Sequence, residues 1–113
     1  MKKTLSVFEA IDSLTEMYVD IWEDVCNIES PSSDKCAVDR VGDYFCVMAE
    51  SHDWKIEKYP QEKFGDVICI TLNPDSKKAP IALSGHMDTV HPVGLFGSLP
   101  ESAKRIAAIV CSI

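Results

Sequence analysis

The hydrophobic residues of this chain change their period once, between Met48 and Trp54, and that change limits what it can fold into. Upstream, Phe8, Ile11, Leu14, Tyr18, Ile21, Trp22, Val25 and Ile28 recur at steps of one, three and four. That spacing places one apolar stripe along a helix and predicts a single helix over residues 6–29. Ser6 followed by Glu9 matches a capping box at its start. The stretch ESPSSDK then breaks the helix, because Pro31 disfavours helical geometry at Ser30 and the serines favour caps and turns.

A second helix is predicted over residues 34–51, capped by Ser33, with Val38, Val41, Tyr44, Phe45 and Met48 on its apolar face. Beyond it the pattern is that of strands. Trp54, Ile56 and Lys58 alternate with their neighbours over residues 53–59, as in a half-buried strand. Residues 66–73 are nearly all apolar, as in a central strand covered on both faces. Residues 81–85 read as a short buried strand, after a polar turn with prolines at both ends. The order helix, helix, strand, strand, strand predicts an α/β class, with two amino-terminal helices packed on a small sheet.

Composition narrows the function. Eighteen acidic residues against 11 basic ones give a formal charge of −7. Such a surface does not suit a nucleic-acid backbone or an anionic membrane, both of which call for clustered Lys and Arg. Glu9 and Asp12 interrupt any apolar signal segment, and the apolar run at 106–111 is far shorter than the ~20 residues that span a bilayer. Five cysteines with no C-x-x-C pair read as reduced thiols, which predicts a cytoplasmic protein. The even spacing of Cys26, Cys36 and Cys46 does not suit a zinc site, where ligand spacings are short.

The third predicted strand ends in SGHMDTV, residues 84–90, and delivers chemistry there. Strand ends are where side chains converge in open α/β sheets. His86 and Asp88 share a face if the chain is extended. An imidazole that ligates a metal usually gives its other ring N–H to an oxygen acceptor, and a carboxylate two residues on suits that role. A strand end followed by polar residues, with Asp88 and Thr89 opening a turn, accounts for the triplet equally well. His52 and His91 read as surface or loop residues.

The longer string ALSGHMDTVHPVGLFG, residues 82–97, closely resembles the first metal-site motif of the zinc-dependent aminoacylase/carboxypeptidase family of metallo-exopeptidases. That family includes glutamate carboxypeptidase, acetylornithine deacetylase and succinyl-diaminopimelate desuccinylase. Upstream, CNIESPSSDKCAVDRVGDYF resembles the same family's helix, I-x-S-x-S and helix entry, with Ser30 and Ser32 in place. The resemblance implies that residues 1–97 are the amino-terminal part of a metallopeptidase-like catalytic domain. It implies His86 as a ligand of one of two zinc ions, and Asp88 as the catalytic-site carboxylate that orients it. It also implies a hydrolase acting on a peptide or N-acyl amino acid, in which metals and a Glu general base activate water. The string GHMDTVHPVG stands nearest the carboxypeptidase branch.

After Gly97 the resemblance stops. The family's later ligands, its bridging Asp and its Glu-Glu pair have no counterpart, since Glu101 and His91 are the only acidic or histidine residues after Asp88. Residues 98–113 read as a divergent helical tail. The expectation is therefore an amino-terminal fragment of a metal-dependent amide hydrolase, incomplete through a shifted or stopped frame near Gly97 and inactive alone. At most it would bind one ion weakly. The alternative is a non-catalytic small interaction module.

Overall fold

The computed structural model describes residues 5–95, which form three helices and one two-stranded antiparallel sheet. The α/β class expected from the change of period is therefore what forms. The chain divides into two compact units after Asn27, and each is described by itself.

The first unit contains helix α1, Val7–Ser13, and helix α2, Thr15–Cys26. The expected capping box is present: the Glu9 amide donates to the Ser6 hydroxyl at 3.2 Å and the Ser6 amide donates to the Glu9 carboxylate at 2.9 Å. One helix was expected where two occur. The break falls at Leu14, with φ −104° and ψ 2°. Hydroxyls flank it: Ser13 Oγ donates to the Ala10 carbonyl at 2.7 Å, and Thr15 Oγ1 to the Ile11 carbonyl at 3.5 Å. Side-chain hydroxyls that bond back to the preceding turn compete with the helical ladder and bend it. Neither α1 nor α2 buries a residue.

The second unit is built on helix α3, Lys35–Ser51. Its N-cap is Asp34, one residue beyond the expected Ser33, with the carboxylate accepting the Ala37 amide at 3.0 Å. At the other end Asp53 takes φ 56°, so that the Trp54 amide reaches the Ala49 carbonyl at 3.0 Å and the Asp53 amide reaches that of Glu50 at 3.1 Å. This is a Schellman ending with Asp in the position usually held by Gly. It turns the chain straight into strand β1, Lys55–Tyr59, which pairs with strand β2, Val67–Thr71.

The register sets Ile56 against Ile70 and Lys58 against Ile68. These four share the sheet face toward α3, as the alternation predicted for Ile56 and Lys58, and Lys58 meets Asp43 of the helix at 2.7 Å. The core lies between this face and Ala37, Val38, Val41, Cys46 and Ala49. Gly42 lets the sheet come close to the helix: a Cβ there would stand 3.3 Å from Ile68 Cγ1. The hairpin loop is tied down at Asp66, whose amide donates to Asp39 at 2.7 Å and whose carboxylate accepts from Gln61 N and from Lys35 Nζ. Lys35 also reaches Asp39 at 2.8 Å, closing a small ion network over the start of α3.

Two expectations for the strands fail. β2 was expected to be covered on both faces, but Val67 and Cys69 are exposed on the face away from α3. Residues 81–85 were expected to be a buried strand and form none: Ile81 is 90% exposed and Leu83 96%. A strand exists only where a neighbour accepts its backbone bonds. Among the described residues 81–85 has no ladder partner, and the nearest pairing is an isolated parallel bridge further along the chain, between Pro31 and Thr89. The tail over 98–113 lies outside the described residues.

Candidate functional site

That single bridge is what positions His86 and Asp88. The Ser32 amide donates to the Thr89 carbonyl at 2.9 Å, and the Thr89 amide donates to the Ser30 carbonyl at 2.8 Å. Ser30 is the buried polar residue of the unit, 3% exposed, and its hydroxyl donates to the Met87 carbonyl at 3.0 Å. The I-x-S-x-S segment thus grips the residues around the His-x-Asp triplet through three bonds to main chain. A fourth bond fastens the loop beyond, where Gly94 N, in a residue at φ 82°, donates to Glu29 at 2.6 Å.

Alternation does the rest. Met87 turns inward, and its Cε lies 3.8 Å from where a Cβ on Gly42 would stand. His86 and Asp88 consequently share the opposite side, as expected from their spacing. Their closest approach is 3.5 Å, between Nδ1 of His86 and Oδ1 of Asp88. That is an electrostatic contact rather than a short hydrogen bond. The imidazole is 92% exposed, which leaves Nε2 open to an incoming ligand.

Asp88 is held more firmly than His86. Its Oδ2 accepts the Ser32 hydroxyl at 2.5 Å. That bond is the main reason its carboxyl lies below the ordinary carboxylate range, and the nearby His86 adds to it against partial desolvation. Beside the pair lies a cavity of about 320 Å³ whose walls include Val38, Phe64, Val67 and Met87. His86, Asp88 and Ser32 supply part of its polar lining.

The arrangement suits one metal-ligand position, an exposed imidazole with a carboxylate behind it. It does not fill a coordination sphere, because protein zinc sites take three or four side-chain ligands. Among the described residues no group of three or more His, Cys, Asp or Glu converges. Elsewhere, His52 stacks on Trp54 at 4.6 Å beyond the end of α3, and His91 is half-buried. Among the described residues Cys26, Cys36, Cys46 and Cys69 form no disulfide, with Cys46 buried and the others exposed.

Sequence reasoning named Ser30 and Ser32 as part of a motif but gave them no task. Their spacing of two carried the signal, since it puts both hydroxyls on one side of an extended segment. The anchoring role of Glu29 had no such signal, because the Gly94 amide it accepts lies 65 positions away. Comparison with protein-family models, with curated proteins and with solved structures gave no match.

Proposed function

We propose that this chain carries one corner of the metal centre of a metal-dependent amide hydrolase of the carboxypeptidase or deacylase type. His86 would be a zinc ligand and Asp88 the carboxylate that orients it. The observation that carries the reading is the extended His-x-Asp unit, held through its flanking carbonyls and amides by Ser30 and Ser32 while the imidazole stands open. A structural histidine at a strand end would instead be expected to spend its ring nitrogens on neighbouring protein groups. The peptide or N-acyl amino acid substrate rests on the sequence resemblance, as does the second zinc ion. A cytoplasmic setting belongs to the same reading and rests on the odd count of five cysteines.

Among the described residues the donors for a working centre do not converge, so the chain by itself should bind metal weakly and turn nothing over. Titration of the purified chain with zinc or cobalt tests this. Weak binding that disappears in His86→Ala is the expected result. No binding, or binding unaffected by His86→Ala, would remove the metal reading. Hydrolysis of an N-acyl amino acid by the chain alone would overturn the claim of inactivity.

A second reading draws on Ile81 and Leu83, whose exposed, extended and unladdered segment resembles a strand without a neighbour. Such a segment suits a non-catalytic module that pairs with another chain. A concentration-dependent rise in mass by sedimentation, lost on Leu83→Lys, would favour it.

A further inference from the structure

We infer that Ser32 is a positioning residue for His86, acting through Asp88 to fix which nitrogen of the imidazole is presented to solvent. The inference rests on the proposed metal-ligand role of His86 for its purpose, but not for its geometry. Ser32 Oγ lies within reach of two acceptors, Asp88 Oδ2 at 2.5 Å and the Thr89 carbonyl at 3.0 Å. A hydroxyl has one proton to give. The Thr89 carbonyl already accepts the Ser32 amide at 2.9 Å, so it is satisfied without that proton. The shorter bond to a charged acceptor therefore takes it.

This leaves Asp88 with one oxygen engaged and the other, Oδ1, facing His86 Nδ1. Pinning Oδ2 removes the freedom of the carboxylate to rotate Oδ1 away from the ring. A carboxylate held beside Nδ1 favours the tautomer with the proton there and the lone pair on Nε2, the atom a metal would meet. Ser30 serves as an internal contrast. It grips the same segment with its hydroxyl, but on the Met87 carbonyl, and so supports the backbone without touching Asp88.

The test is ¹⁵N-edited NMR of the full metal-free chain at about pH 8, where an ordinary imidazole is neutral. Wild type and Ser30→Ala should both show His86 with the proton mainly on Nδ1. Ser32→Ala should shift it toward Nε2, and Ser32→Thr, which restores a hydroxyl, should return it. Ser32→Cys donates more weakly and reads the same effect should the alanine variant not fold. An Nε2–H tautomer in wild type overturns the inference, as does an Nδ1–H tautomer that persists in Ser32→Ala or is lost equally in Ser30→Ala.

Zinc titration of the same variants separates the two claims. If wild type binds through His86, Ser32→Ala should weaken binding by about tenfold, the lower end of the usual effect of removing a ligand's supporting shell. Unchanged affinity in Ser32→Ala overturns the positioning role and leaves the ligand role standing. A tautomer that follows Ser32 in a chain that binds no zinc removes the ligand role and leaves the positioning role standing.

Discussion

The α1–α2 pair and α3 carry equally regular apolar stripes, but they meet different fates. α3 buries Ala37, Val38, Val41, Gly42, Cys46 and Ala49, whereas α1 and α2 bury nothing. The difference lies in side-chain size as much as in pattern. Ala37, Gly42 and Ala49 are small enough for the hairpin to come close, and the β1–β2 register then brings Ile56, Ile68 and Ile70 to the same face. The stripe of α2, with Tyr18, Ile21, Trp22 and Val25, stays half-buried or exposed. Helical periodicity states which face needs a cover. It does not supply one.

The comparison breaks most sharply at the hairpin loop. A Cβ on Gly65 would stand 2.3 Å from Val38 Cγ1 and 2.7 Å from Val38 Cβ, too close for any real pair of atoms. Val38 is buried and its Cβ is fixed to the helix backbone, so α3 and the loop must move apart. Gly65→Ala should cost about 2–3 kcal/mol, in the range of overpacked cores. Val41→Ala empties rather than overfills the same core, at a residue 1% exposed. It should cost about 2 kcal/mol through lost burial and the cavity left behind. Urea unfolding monitored through Trp54 checks both. A loss under about 0.5 kcal/mol in each, the ordinary surface range, would mean that α3 and the hairpin do not form the core described.

A smaller effect, dependent on pH, is expected from the ion network over the start of α3. The Lys35 ammonium, bonded to both carboxylates, is the first cause holding Asp39 and Asp66 below their ordinary range, and Asp39 leads the causes that raise Lys35. Carboxylates depressed by folding bind fewer protons than in the unfolded chain. Their contribution is present above about pH 4 and falls away as pH drops through the folded values. The raised lysine has the opposite sign, contributing below about pH 10 and less as pH rises further. Asp66→Asn should therefore differ most from wild type between these limits, and the two should converge at low pH. A difference that stays constant from pH 7 to pH 2 would show that the variant acts through the Gln61 bond or the loop shape instead of through charge.

How much of this was legible depends on whether a partner lay within the same stretch of sequence. The capping box needed only Ser6 and Glu9, and the face of β1 needed only alternation, so both were readable. The break at Leu14 was not, because hydroxyls at Ser13 and Thr15 are tolerated in many helices and only their bonds to the preceding carbonyls reveal the bend. Residues 66–73 and 81–85 make the same point for strands. Both are apolar, but the first finds β1 across a short loop and the second, among the described residues, finds no ladder partner. At the site, the shared side of His86 and Asp88 followed from spacing. The Ser32 hydroxyl on Asp88, 56 positions away, did not.

The smallest expected effect is the most direct test of the opening contrast. Phe8 is 79% exposed on α1, so truncating it removes little buried surface. Alanine also has the higher helix propensity, by roughly 0.5 kcal/mol, which offsets what contact is lost. Phe8→Ala should thus change stability by less than about 0.5 kcal/mol, the range of ordinary surface substitutions. Measured by the same unfolding curves as Val41→Ala, it should be nearly silent where the other is not. A cost near 2 kcal/mol would reverse the contrast. The stripe on α1 would then be covered in solution as fully as that of α3, and its exposure could not stand as the difference between the two regions.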